Sequence, residues 1–257
     1  MNPEVFKPDG TRIEYDVGTI MPDGTRLSSD IYFPSKRQPG PYPVILYRTP
    51  YSNQMDYLLE RGKYFSQNGY VVVCQDVRGR HDSAGEFIRW KHEFTDGNET
   101  INWIGNQEWC DGNVGMAGPS YLGYVQWQAA CMENDFLKCI IPTVMSGDLH
   151  EAPHYQGGAF QLALNTTWSF RTDGKTMQTI DDYDWERLFY HLPIRDIPSA
   201  AGKNISDFVE WVDNPDFGDY WDEINVINKL EDIKIPCLHI GGWYDLCLLY
   251  TSAAADE

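Results

Sequence analysis

The chain has 257 residues, with 20 Lys and Arg against 38 Asp and Glu and a formal charge of −18. At 42% apolar and 23% charged the composition is that of a folded globular protein, and this length can bury one sizeable core or a core with a small subdomain. So negative a field repels phosphate backbones and anionic bilayers, which argues against nucleic acid and membrane as partners. No run of about 18 apolar residues could span a bilayer, and Met1-Asn2-Pro3-Glu4-Val5 lacks the basic and apolar regions of a secretion signal.

In chain order, Asp16 to Ile20 alternates, Pro22-Asp23-Gly24 turns and Leu27 to Phe33 alternates again, which predicts two extended segments around a tight turn. Pro43 to Tyr47 reads as a strand. Gln54 to Gln67 reads as a helix, with Leu58, Leu59, Tyr64 and Phe65 at helical spacing and Asn68-Gly69 to end it. The unbroken apolar run from Tyr70 to Gln75 predicts a parallel strand covered on both faces. A helix over Asn98 to Trp109, a short strand Val114 to Ala117, a helix Leu122 to Met132 and a strand Leu137 to Val144 follow. This alternation specifies an α/β fold with an open sheet and right-handed crossovers. Between about 147 and 232 the chain turns rich in aromatics, Asp and Asn, with Trp168, Trp185, Trp211 and Trp221, and reads as a mostly helical insertion. Ile233 to Gly241 regains strand character. An insertion that leaves a sheet and rejoins it is placed to form a lid over the carboxyl ends of the strands.

Six cysteines, at 74, 110, 131, 139, 237 and 247, show no C-x-x-C spacing, and several lie in apolar runs. Free buried thiols in a reducing, cytoplasmic setting fit this better than disulfides or a metal site. No H-E-x-x-H, phosphate-cradling glycine loop or ligand-spaced cysteine pair is present, so neither metal nor organic cofactor is expected.

The stretch richest in chemistry is Val114-Gly115-Met116-Ala117-Gly118-Pro119-Ser120-Tyr121-Leu122-Gly123: a strand, a sharp turn at Ser120, then a helix. That is the setting of a nucleophile elbow, in which Gly118 and Gly123 clear space where strand and helix crowd and the serine hydroxyl stands at a helix N-terminus. The usual G-x-S-x-G pattern has its second glycine where Leu122 stands, one residue before Gly123. A serine N-cap between strand and helix remains the alternative reading.

Four segments recur in one order: Arg48-Thr49-Pro50-Tyr51, Gln75-Asp76-Val77-Arg78-Gly79-Arg80 through Gly85-Glu86-Phe87, Gly118 to Gly123, and Gly241-Gly242-Trp243-Tyr244-Asp245. From about Asp16 to Asp245 this arrangement resembles the cocaine-esterase / X-prolyl dipeptidyl-peptidase-like family of serine α/β-hydrolases. The resemblance implies Ser120 as acyl-forming nucleophile, the backbone N–H of Tyr121 and the phenol of Tyr51 as oxyanion donors, and Asp245 as the acid of a Ser-Asp-His triad. It implies an ester, amide or short peptide substrate. The Arg78-Gly79-Arg80 loop is read as architectural, its arginines pairing with some of the many carboxylates.

The triad histidine should follow the acid, yet His81, His92, His150, His154, His191 and His239 all precede Asp245. His239 is expected in the core, while His150 and His154 flank the start of the lid without matching the family's motif. The last dozen residues, from Leu246 to Glu257, do not resemble the expected continuation. They suggest that the final strand, the histidine loop and the family's C-terminal β-sandwich are missing and that 246–257 is non-native. The expected organisation is thus a first core part (1–146), a helical lid (147–232), a core strand with the acid loop (233–245) and the tail. On this reading the fragment alone is inactive. A hydrolase-like module that binds a hydrophobic ligand without catalysis is the competing function. An acidic patch in the lid, Asp181, Asp182, Asp184 and Glu186 beside Trp185, is either a solvated face or a site for a free amino terminus.

Overall fold

The computed structural model describes residues 4–6, 10, 12–35 and 39–245; the tail 246–257, including Cys247, lies outside them. The strands are β1 (Glu4–Phe6), β2 (Arg12–Ile20), β3 (Arg26–Phe33), β4 (Tyr42–Thr49), β5 (Val71–Asp76), β6 (Cys110–Pro119) and β7 (Leu137–Thr143). They form one sheet in the order β1-β2-β3-β5-β4-β6-β7. The N-terminal hairpin β2–β3 is antiparallel and joins β5 in antiparallel register, whereas β5, β4, β6 and β7 run parallel. The Val-Val-Val-Cys run of β5 is buried along its whole length between β3 and β4, as its unbroken apolar character requires.

Three helices cover the sheet: α1 (Asp56–Gln67), α2 (Glu93–Gly105) and α3 (Tyr121–Ala130). All ten residues of α3 are buried, because the sheet lies on one side and the 147–232 segment on the other. That segment contains short helices only: α4 (Leu162–Arg171), α5 (Trp185–Phe189), α6 (Ile197–Ala200), α7 (Ser206–Asp213) and α8 (Asp219–Ile224), with isolated helical turns between them. Its return is fixed on α3, where Tyr124 Oη donates to Ile224 O (3.1 Å) and accepts from Val226 N–H (3.1 Å), and Gln128 Nε2 donates to Ile224 O (3.0 Å). A buried ion pair, Arg89–Asp207 at 2.6 Å, ties α7 to the loop before α2.

Four sequence expectations are corrected. The second helix starts at Glu93, five residues before the expected Asn98, because Glu93 and Asp96 are buried partners of Arg48 and Arg78; no helical periodicity encodes such tertiary ion pairs. Ile233 to Gly241 lies parallel to β7 through two bridges, Ile140 to Cys237 and Thr143 to Ile240, rather than as a continuous strand. Pro236 offers no N–H, and Leu238 and Ile240 are 58% and 43% exposed. For the same reason His239 is half-buried against Trp127 (ring centroids 5.0 Å) instead of lying in the core. Finally, Arg78 pairs with Asp96 and Asp23, but Arg80 donates to carbonyls and to no carboxylate among the described residues.

Candidate active site

The strand β6 and helix α3 meet at Ser120 in a turn that leaves little freedom. Ser120 has φ 56° and ψ −125°, a conformation costing on the order of 1–3 kcal/mol for a non-glycine residue. It persists because Ser120 N–H donates to Thr143 O (2.9 Å) while Ser120 O accepts from the N–H groups of Gly123 (2.7 Å) and Tyr124 (3.0 Å). Gly118, at φ +134°, approaches Leu122 so closely that an added Cβ would sit 2.6 Å from its Cβ. A Cβ on Gly123 would lie 3.1 Å from Met145 Cβ and 3.2 Å from Thr143 O. The crowded position is thus three residues after the serine, and Leu122 packs into the cluster on the other face of the sheet.

Ser120 opens into a cavity of about 150 Å³ at the carboxyl ends of β6 and β7. Val144 and Met145 line its sheet side, Pro153, Leu164, Asn165 and Trp168 its lid side, and Trp90 and Asp245 complete the wall. The phenol of Tyr51 hydrogen-bonds to Ser120 and accepts a bond from Trp168 Nε1–H (3.1 Å). Burial raises its pKa, against which the bonds to Ser120 and Trp168 and the charges of Arg89 and Arg80 act. It therefore stays protonated at neutral pH and keeps a proton to donate.

Tyr121 begins α3, so its backbone N–H has no acceptor inside the helix. Its ring is fully buried, stacked on Trp90 at 4.0 Å, and its hydroxyl donates to Glu93 Oε1 (2.8 Å). The other oxygen of Glu93 meets Arg48 Nη1 at 2.6 Å, and Arg48 Nε donates to Gln75 Oε1 (2.8 Å). One buried ion pair thus links the residue carrying the helix N-terminus to the strand that leads into Tyr51.

Asp245 follows a turn closed by its own N–H to Gly242 O (2.9 Å) and reaches the cavity that Ser120 opens into. No histidine lines that cavity among the described residues. His154 is fully buried with Nδ1 on Leu149 O (2.6 Å) and rings of Trp211 and Trp221 around it, and burial pushes its pKa down to about 3. His150 meets Pro215 O through Nε2 (2.9 Å).

Trp90, Asn165, Trp168 and Glu93 carry no motif that singles them out in the sequence. Only the aromatic richness of the insertion pointed to Trp168. The acidic lid residues Asp181, Asp182, Asp184 and Glu186 are exposed, and Asp184 caps α5 by accepting from Arg187 N–H (3.1 Å). The five described cysteines are free thiols. Among the described residues no cluster of three or more His, Cys, Asp or Glu is arranged to hold a metal ion, and no helix is long and apolar enough to cross a membrane.

Comparison with known proteins adds family and fold. The sequence profile of the X-Pro dipeptidyl-peptidase (S15) family matches residues 23–255. The cocaine esterase of Rhodococcus sp. (strain MB1 Bresler) is 37% identical over 252 residues, which span 88% of this chain and 42% of the esterase. A CocE/NonD family hydrolase from Staphylococcus aureus superposes with a TM-score of 0.63 at 27% identity, over 88% of this chain and 40% of that one. The aminopeptidase of the marine sediment archaeon Thaumarchaeota archaeon shares the fold, with a TM-score of 0.76 at 22% identity over 99% of this chain and 48% of that one. The chain therefore spans less than half the length of each of these proteins.

Proposed function

The chain belongs to the X-Pro dipeptidyl-peptidase (S15) family of hydrolases, and from that premise we propose that it carries the acylating part of a serine hydrolase site. The observation that supports this most is that a strained Ser120 and the carboxylate-bearing Asp245 line one cavity while the phenol of Tyr51 hydrogen-bonds to Ser120. In the proposed reaction Ser120 Oγ attacks the substrate carbonyl carbon and its proton passes to a histidine base. The tetrahedral oxyanion accepts hydrogen bonds from Tyr51 Oη and Tyr121 N–H, Gly118 and Gly123 giving the elbow its shape. The leaving group takes the proton back as the acyl-enzyme forms, and water repeats the sequence to release the acid. Each oxyanion donor contributes on the order of 3 kcal/mol at the transition state. Asp245 would hold the imidazole's tautomer and stabilise its protonated form.

No histidine among the described residues lines the cavity that Ser120 opens into, and all six precede Asp245, so the reading assigns the base to a histidine outside these 257 residues. The chain by itself then turns over slowly, by about four to six orders of magnitude relative to a complete triad. We read 1–146 and 233–245 as core and 147–232 as lid. The free thiols support a reducing, cytoplasmic setting. For substrate we propose an acyl ester. The relative at 37% identity is named an esterase, and the exposed lid carboxylates offer no enclosed site for a peptide's amino terminus.

The histidine-free cavity also favours a second reading, a non-catalytic module that holds a hydrophobic ligand. Imidazole added to the chain separates the two. Hydrolysis of p-nitrophenyl acetate should rise above the rate of imidazole alone and return to it in Ser120→Ala. Rates in wild type and Ser120→Ala that match imidazole alone would favour the binding module.

A further inference from the structure

We propose that Arg80 is a positioning residue of the oxyanion hole: its guanidinium fastens the carbonyl ahead of Tyr51 to the lid carbonyls of Thr172 and Gly174, so that the phenol is held beside Ser120 only while the lid turn is seated. The proposal rests on the reading of Tyr51 as an oxyanion donor.

Arg80 is wholly buried. Its Nε donates to Pro50 O (2.7 Å), its Nη1 to Thr172 O (2.9 Å) and to Gly174 O, and its Nη2 meets Met177 Sδ at 3.5 Å. Three other buried arginines, Arg48, Arg78 and Arg89, each have a carboxylate within 2.6 or 2.7 Å. Arg80 has none within ion-pair distance among the described residues. An interior cation without an ion-pair partner, held by carbonyl dipoles and by the ring of Phe87 at 5.1 Å, is expensive for the fold, which suggests a role beyond stability. A planar guanidinium projects donors in two directions at once, here one edge toward the Tyr51 loop and the other toward the lid, a geometry that an ammonium cannot reproduce.

The Tyr51 loop is built so that it needs such a clamp. Ser52, the next residue, has φ 101°, a strained conformation. Beyond it Asn53 N–H is held by Asp76 Oδ1 at 2.7 Å. Arg80 secures the peptide ahead of Tyr51 and Asp76 the peptide after Ser52, so the phenol hangs between two fixed points. Helix α4 and its C-cap reach both partners: Trp168 Nε1–H donates to the phenol of Tyr51 and, one turn later, the Thr172 carbonyl accepts from Arg80. Seating the lid and aiming the phenol are therefore one event. The charges of Arg89 and Arg80 also favour negative charge near Tyr51, which suits a donor that faces an oxyanion.

The indole N–H of Trp168 reports the phenol's position without any turnover. Its signal in a ¹H–¹⁵N spectrum of the 257-residue chain is identified by its loss in Trp168→Phe. In Arg80→Gln its hydrogen exchange should quicken about tenfold, as expected when one hydrogen bond's restraint is released. The indoles of Trp185 and Trp221, bonded to Ile180 O and Asn214 O elsewhere in the lid, should keep their rates. Arg80→Lys, which keeps the charge but not the fork, should show the same selective effect at smaller size, and it decides the matter if Arg80→Gln does not fold. Unchanged Trp168 exchange overturns the proposal, and so does equal acceleration at all three indoles, which assigns Arg80 to general stability. Either result leaves the imidazole test of Ser120 standing separately.

Discussion

Removing the carboxylate of Glu93 isolates a guanidinium in the protein interior. The side chains of Arg48 and Glu93 are 0% and 3% exposed, and their 2.6 Å contact is the ion pair found for either among the described residues. Glu93→Leu keeps the volume but strands the charge of Arg48, whose Nη2 already has no hydrogen-bond partner. It also removes the acceptor of Tyr121 Oη. Breaking a buried pair from one side costs about 3–5 kcal/mol, a large fraction of the stability of a single domain. The double variant Arg48→Met with Glu93→Leu leaves no charge behind, and Gln75 Oε1 keeps the hydroxyl of Thr100 at 2.9 Å as a donor. It should therefore recover the cost of the stranded charge and fall short of the wild type only by the cost of the unpaired Tyr121 hydroxyl, about 1–3 kcal/mol. Urea unfolding at pH 7, followed by circular dichroism and tryptophan fluorescence, gives both numbers and their coupling energy. A double variant as unstable as the sum of the two single variants would refute the reasoning, because the loss would then stem from packing rather than from an unpaired charge.

Gly118→Ala should destabilise the fold by about 1–3 kcal/mol, since φ +134° and the Leu122 side chain both oppose a Cβ. Gly112→Ala, at φ +86° in open space, should cost only about 1 kcal/mol, and equal urea midpoints for the two would contradict the elbow's packing. Tyr51→Phe should lower imidazole-supported, Ser120-dependent turnover about a hundredfold through kcat with little change in KM; a purely KM effect would remove Tyr51 from the oxyanion hole. Burial raises the carboxyl of Asp76 from 3.8 to about 7. Across that window the folded chain binds more protons than the unfolded one, so this group's contribution to stability falls as pH rises and levels off above 7. Asp76→Asn should therefore gain on the wild type between pH 5 and 7 (the interval of the measurement, about two units) in urea melts; a constant difference across that interval would show that Asp76 does not titrate there.

What the sequence could reveal was what local chemistry dictates. The Val71 to Cys74 run can only be a strand buried on both faces. The Gly118, Ser120 and Gly123 spacing forecasts a turn whose crowding appears in the structure at those two glycines. The start of α2 was hidden because Glu93 and Asp96 look like surface acids until Arg48 and Arg78 meet them. Arg80 was hidden likewise, since no spacing rule foretells that carbonyls 50, 172 and 174 converge. The cavity wall of Trp90, Asn165 and Trp168 draws on a loop and a lid helix without periodic pattern, so only the tertiary arrangement assembles it. The 233–240 segment has a strand's composition, but among the described residues only two bridges join it to β7, since Pro236 interrupts the ladder.

A crystal structure of the chain after reaction with an alkyl fluorophosphonate in imidazole buffer addresses the acyl-acceptor role of Ser120 directly. The account predicts phosphorus bonded to Ser120 Oγ, with one phosphonyl oxygen about 2.7–3.1 Å from both Tyr51 Oη and Tyr121 N and the alkyl group against Trp168. An adduct on another residue, or a phosphonyl oxygen turned away from both donors, would contradict it.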